Sequence, residues 1–232
     1  MDNLKRILIV EDEYKIIDVV KSLLESKGFK VFFAETAMEA LKVFDREKIS
    51  LILLDLMLPD MSGEDLCREI RKKSRVPIIM LTAKVEEEDM LKGLSVGADD
   101  YITKPFSLKA LYARVEAVLR RSNDYLNPLF EVGTWRDEDL IVDFQKRIVK
   151  KKRMEVSLTP NEFNILVILI KYPGKVFTRN ELILLALGDE FDGYDRVIDS
   201  HIKNIRQKIE DNPKEPVYVK TIHGIGYKFG GE

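Results

Sequence analysis

At 232 residues the chain exceeds the usual length of one domain, and its 45% hydrophobic and 34% charged residues with only 8 prolines exclude a disordered or fibrous polymer. A net charge of -2 excludes a protein that coats nucleic acid or anionic membrane through bulk charge, so any DNA contact must come from a local patch. No apolar run approaches the roughly 20 residues that cross a bilayer, the N-terminus lacks a signal-peptide pattern, and the single cysteine, Cys67, excludes an intrachain disulfide, so a cytoplasmic protein that does not engage a membrane is expected.

From Lys5 to about Arg121 short apolar runs alternate with stretches of helical period. The runs are Ile7 to Val10, Val31 to Ala34, Leu51 to Leu56, Pro77 to Leu81 and Tyr101 to Thr103; the first intervening stretch places Ile16, Val20, Leu23 and Leu24 at helical spacing. Five strands that are continuously apolar rather than alternating, each followed by a helix, predict an α/β doubly wound five-stranded parallel sheet covered on both faces. Periodicity is lost near Arg120 and Ser, Asn, Asp and Pro appear, which predicts a first domain over 1–121, a linker over 122–128 and a second domain over 129–232.

The second domain opens with short strands between Leu129 and Val156. Thr159-Pro-Asn-Glu162 and Thr178-Arg-Asn-Glu181 then each read as a capping box that starts a helix, with Pro160 at the first helical position, where its missing N–H costs nothing. A third helix over about Asp195 to Glu210 precedes Val217 to Ile222 and Tyr227 to Phe229, a hairpin around Gly224 and Gly226. Helices closed by a hairpin predict an α+β winged helix-turn-helix. The basic run Lys150 to Arg153 reads as a solvated hairpin turn rather than a nucleic-acid patch.

In an open parallel sheet, ligands gather at the carboxyl ends of the strands. Those ends carry Glu11, Asp12 and Glu13, then Asp55, Thr82 and Lys104. Converging carboxylates repel one another unless a cation sits among them, and oxygen-only ligands suit a hard ion such as Mg2+. A carboxylate held there can attack a phosphoryl group while the ion and a nearby ammonium neutralise its oxygens. Asp55, on the central strand, is the best nucleophile, Lys104 supplies the ammonium and Thr82 a hydroxyl. Asp12 could equally be the N-cap of the first helix.

Residues 4–121 resemble the receiver domain of two-component response regulators, which has a flavodoxin-like fold. The matching segments are Ile-Leu-Ile-Val-Glu-Asp-Glu (7–13), Leu-Leu-Asp-Leu-Met-Leu-Pro-Asp-Met-Ser-Gly (53–63), Leu-Thr-Ala (81–83) and Gly-Ala-Asp-Asp-Tyr-Ile-Thr-Lys-Pro-Phe (97–106). The resemblance implies that Asp55 accepts the phosphoryl group of a sensor histidine kinase, and that Glu11, Asp12, Asp55 and the main-chain carbonyl of Met57 hold Mg2+ or Mn2+. It further implies that Thr82 and Tyr101 form a switch pair, that Lys104 binds phosphoryl oxygens, and that the Lys104–Pro105 bond is cis. The face of the fourth helix, fifth strand and fifth helix would then form a homodimer on phosphorylation, with Asp100 and Arg114 matching one bridging ion pair. Met90 and Ala110 replace both members of another.

Residues 157–229 resemble the winged-helix effector of the OmpR/PhoB subfamily, through Leu-Thr-Pro-Asn-Glu-Phe (158–163), Arg-Val-Ile-Asp-Ser-His-Ile (196–202) and Thr-Ile-His-Gly-Ile-Gly-Tyr-Lys-Phe (221–229). At about 100° per residue, Ile198, Ile202, Ile205 and Ile209 fall on one side of the third helix and Arg196, Ser200, Lys203 and Gln207 on the other, with Asn204 and Arg206 flanking. By resemblance, Arg196, His201 and Arg206 would contact phosphates or position the helix, and Ser200, Lys203 and Asn204 would face bases in the major groove. The hairpin would reach the minor groove, with Thr221 and Lys228 on the backbone and His223 where relatives carry Arg. The partners implied are double-stranded promoter DNA with direct repeats and RNA polymerase. Two other readings are weighed: a regulator independent of phosphorylation, and an Asp-nucleophile phosphatase. The latter needs an acid two residues after the nucleophile, where this chain has Met57, so no turnover enzyme is expected.

Overall fold

A computed structural model of the chain describes residues 4–83, 96–123, 132–188 and 195–231. The chain divides into two compact units, Met1–Leu119 and Arg120–Glu232.

In the first unit, β1 (Arg6–Val10), β2 (Lys30–Ala34), β3 (Leu51–Asp55), β4 (Ile78–Thr82) and β5 (Asp100–Thr103) form one sheet in the order β2-β1-β3-β4-β5. Every pairing is parallel. The described helices are α1 (Tyr14–Ser26), α2 (Ala37–Arg46), α3 (Gly63–Lys73) and α4 (Leu108–Asn123). Successive side chains of a strand point to opposite faces, so Ile7, Ile9, Leu51, Leu53, Ile79 and Leu81 pack with Ile17, Val20 and Leu24 of α1 and Leu111, Val115 and Val118 of α4. The alternate residues Leu8, Ile52, Leu54 and Ile78, equally buried, are left for the face of α2 and α3. That double burial is why the runs carry no polar alternation. The helix expected between β4 and β5 would fall on 84–95, outside the described residues.

The helix α4 runs through Asn123, two residues into the segment read as linker, while 124–128 lie outside the described residues. Ser122 and Asn123 mark the approach of a helix end but do not forbid one more half-turn, whereas a proline would.

The second unit begins with an antiparallel sheet of β6 (Val132–Trp135), β7 (Leu140–Asp143), β8 (Ile148–Lys151) and β9 (Met154–Val156). Lys150 and Lys151 lie in β8, and Lys152 and Arg153, both with positive φ, make the hairpin turn expected for the basic run. Then come α5 (Pro160–Lys171), β10 (Phe177–Thr178), α6 (Arg179–Leu182), a π-helical turn (Ile183–Leu187) and α7 (Val197–Ile209), followed by β11 (Val219–Ile222) and β12 (Gly226–Phe229). Both capping boxes close as read: Thr159 with Glu162 and Thr178 with Glu181 exchange side-chain and main-chain bonds. The π-helical turn was not legible in the sequence.

β12 pairs antiparallel with β11 on one side and β10 on the other. Gly226 makes this possible, because a Cβ there would overlap the carbonyl oxygen of Phe177. Among the described residues, no helix is long and apolar enough to cross a membrane.

Candidate functional site

The strand register carries Glu11, Asp55 and Thr82 to one edge of the sheet. Glu11 follows β1, Asp55 closes β3 and Thr82 closes β4, and all three are buried. Lys104 follows β5 directly and is joined to Pro105 by a cis bond, the geometry the resemblance implied. Its ammonium lies 2.6 Å from Asp55 Oδ2 and 2.7 Å from Glu11 Oε2. The other Asp55 oxygen accepts the Met57 N–H at 3.0 Å.

Burial raises the Glu11 carboxyl to about 7, an effect that the neighbouring Asp55 charge reinforces and the bond from Lys104 opposes. For Lys104, burial alone would lower the pKa, but its bonds to Asp55 and Glu11 prevail and raise it.

Carboxylate oxygens of Glu11, Asp12 and Asp55 lie within 4.8 Å of one another, close enough to share one cation. Asp12 is exposed, and α1 takes Glu13 as its N-cap with no side-chain bond, so Asp12 is not spent as a cap. All the donors are oxygen, the chemistry of a hard divalent ion. Met57 lies on the loop after β3 and is 65% accessible. Gly63 lets this loop fold back: its N–H bonds Leu56, and a Cβ there would overlap the Asp55 carbonyl.

Tyr101 is buried on β5, and so is Thr82. The neighbouring Asp100 is also buried and accepts from Arg114 at 3.1 Å within the same chain. The pair expected to bridge two subunits is thus closed inside one. Ala110 is exposed on α4, and Met90 lies outside the described residues.

On α7 the isoleucine stripe Ile198, Ile202, Ile205 and Ile209 is buried, as its spacing predicts. Arg196, Lys203 and Gln207 are exposed and Ser200 is half-buried. His201 is 1% accessible, in keeping with the positioning role that was one of its two expectations, whereas Asn204, expected to face bases, is only 6% accessible. They continue a second buried row begun by Val197, because the helix is enclosed on two sides rather than one, so neither side chain is offered to a groove.

Arg206 takes the second of its two expected roles, positioning the helix. Its guanidinium donates to the Val219 carbonyl at 2.7 Å and to Thr221 Oγ1 at 2.7 Å, which occupies both residues in holding β11 against the helix. Burial lowers its pKa. His223 is exposed at the hairpin turn, and Lys228 is half-buried on β12.

Three residues of this face, Arg179, Asp199 and Tyr227, take no role from the sequence, and Ile225 is a fourth. Asp199 on α7 accepts a forked pair of bonds from Arg179, at 2.7 and 3.2 Å, and the Tyr227 hydroxyl at 2.6 Å. This knot ties α6, α7 and β12 together. Ile225 is exposed beside His223 at the hairpin tip.

An acidic pocket with an ammonium at the carboxyl edge of a β2-β1-β3-β4-β5 sheet, followed by a winged helix, is the arrangement of a receiver domain joined to a DNA-binding domain. The comparisons agree: residues 7–116 match the response regulator receiver domain, and 153–229 match the C-terminal domain of transcriptional regulatory proteins. The chain is 42% identical, over 97% of its length and 96% of the relative, to the alkaline phosphatase synthesis transcriptional regulatory protein PhoP of Bacillus subtilis. It is 40% identical to the sensory transduction protein RegX3 of Mycolicibacterium smegmatis, over 97% and 99%. Among solved structures it is similar to the response regulator DrrB of Thermotoga maritima, an OmpR/PhoB homologue, with TM-score 0.53, 37% identity and coverage of 98% and 100%. The chain belongs to the OmpR/PhoB family of response regulators.

Proposed function

We propose that this regulator is controlled by phosphorylation of Asp55, with Mg2+ bound by the Glu11, Asp12 and Asp55 carboxylates and the Met57 carbonyl. The observation that carries the reading is the Lys104 ammonium seated between Asp55 and Glu11 with Asp12 alongside. A histidine kinase presents a phosphoimidazole; an Asp55 carboxylate oxygen bonds to phosphorus as the P–N bond breaks, and the electron pair leaves on the imidazole. The cation, when bound, supplies charge to the equatorial phosphoryl oxygens. Lys104 moves from its ion pairs to those oxygens, and the Thr82 hydroxyl donates to one of them. The acyl phosphate is removed by hydrolysis, a water oxygen bonding to phosphorus as the bond to the Asp55 oxygen breaks and phosphate leaves, but the chain turns over no external substrate, since Met57 provides no acid where a phosphatase needs one.

The acyl phosphate then biases the face of β5 and α4, where the internal Arg114–Asp100 pair can exchange for the same pair across a two-fold axis. The dimer binds direct repeats in promoter DNA. Arg196, Ser200, Lys203 and Gln207 face the major groove, the His223 turn enters the minor groove, and the assembly meets RNA polymerase in the cytoplasm. Near charge balance in the second domain makes single-domain binding weak and salt-sensitive, which leaves dimerisation as the source of affinity.

The test is intact mass and solution size with and without acetyl phosphate and Mg2+, on wild type and Asp55→Ala. One added phosphoryl group on wild type alone, with a shift toward dimer, is expected. No adduct, or the same oligomer in both proteins, would favour a regulator independent of phosphorylation.

A further inference from the structure

The loop between β3 and α3 carries Met57, whose carbonyl belongs to the proposed cation set, and any role for this loop in cation binding rests on that reading of the site. The loop is closed at its base by the Gly63 N–H on the Leu56 carbonyl at 2.9 Å and by a bridge between Met57 and Ser62. Its outer end is held by a different element. Asp60, exposed to solvent, turns Oδ1 onto the Ala37 N–H at 2.9 Å and Oδ2 onto the Met38 N–H at 3.0 Å.

Ala37 and Met38 open α2, where no intrahelical acceptor exists for these donors. The Thr36 hydroxyl takes the next one, from Glu39 at 3.2 Å. Asp60 therefore satisfies two donors across 23 and 22 residues of sequence. Its charge faces the positive end of the helix dipole, and both bonds are charge-assisted. The Ala37 and Met38 N–H groups hold its carboxyl below the usual carboxylate range. A loop fixed only at its base can pivot about that base and swing its carbonyls; a far tether removes the pivot.

We infer that Asp60 is a positioning residue of the cation site: clamped on the N-terminus of α2, it fixes the β3–α3 loop so that the Met57 carbonyl is aimed at the ion held by Glu11, Asp12 and Asp55. Asp60 touches neither ion nor phosphoryl group. Its contribution is to the aim of a ligand three residues away, and it links the position of α2 to the cation.

The test is calorimetric titration of Mg2+ into the full chain for wild type, Asp60→Ala, Asp60→Asn and Thr36→Ala, with Tm recorded for each. Thr36→Ala removes a cap from the same helix and leaves the loop tethered, so it isolates loss of helix stability. Asp60→Ala is expected to weaken Mg2+ about 10-fold, the range found for groups that orient metal ligands. Asp60→Asn, which keeps one acceptor oxygen, is expected to weaken it less. Thr36→Ala is expected to bind as wild type does, although its Tm falls. Unchanged affinity in Asp60→Ala, or equal weakening in Thr36→Ala, would overturn the role of Asp60 and leave the cation reading intact. A wild-type chain that binds no Mg2+ would overturn both.

Discussion

The two halves of the molecule place their polar chemistry on opposite sides of the burial boundary. In the first unit the polar groups of the proposed phosphorylation site, Glu11, Asp55 and Thr82, are themselves buried, at the ends of strands whose main chains the sheet fixes. In the second, His201, Asn204 and Glu210 are buried polar groups, and Arg196, Lys203 and Gln207 of the same region are exposed. A chemical site needs desolvation to shift pKa values and strengthen charge, whereas a reading surface needs access. The same residue type thus carries different meaning in each half, and burial decides which.

The contrast breaks most readily at Lys104. Replacing it by Ala leaves the Asp55 and Glu11 carboxylates without the ammonium that joins them and removes the positive charge waiting for the phosphoryl oxygens. Phosphoryl incorporation from acetyl phosphate at saturating Mg2+ is expected to slow by about 100-fold or more, the scale of losing one preorganised electrostatic contact. A rate within a few-fold of wild type would mean that the half-buried ammonium is only a structural counter-ion.

A smaller effect, and a sharper one, separates two adjacent residues of α7. Lys203→Ala is expected to cost about 1 to 3 kcal/mol on the specific DNA site and to leave Tm unchanged. Asn204→Ala is expected to act in the opposite sense: a loss of about 1 to 3 kcal/mol in stability by thermal unfolding, because a buried polar group is deleted among its neighbours. If Asn204→Ala instead weakened DNA at constant Tm, the helix would sit differently from the arrangement described.

The legibility of the two halves follows the same line. Continuous apolar runs fixed the five strands, and the rule that ligands gather at carboxyl ends then brought Glu11, Asp12, Asp55, Thr82 and Lys104 together with no knowledge of side-chain direction. A helical wheel does less, because it supposes one buried stripe. Val197, His201 and Asn204 make a second buried row, which depends on what else encloses the helix and is not written in the helix itself. The knot of Arg179, Asp199 and Tyr227 joins residues 20 and 28 positions apart, with no local signature. Glu210 did leave a trace: an acidic residue at a helix C-terminus opposes the dipole, so its presence there asks for a partner. It has three, the N–H groups of Val217, Tyr218 and Val219, each at 2.9 Å.

The smallest effect at neutral pH belongs to Tyr227, the hydroxyl of the knot. Burial, aided by the bond to Asp199, pushes its phenol up to about 12, against about 10 for an unfolded tyrosine. Because the folded value is the higher one, the neutral phenol favours the folded state fully below pH 10, and that contribution is lost as pH rises from about 10 to about 12. Tyrosinate absorbance should therefore differ between wild type and Tyr227→Phe by a single step near pH 12. A difference step near pH 10 would mean that the hydroxyl is in water and the knot is open. That outcome would also free Asp199 of α7 and Arg179 of α6 from their knot with Tyr227, so the titration tests whether this part of the second half keeps its polar groups for structure.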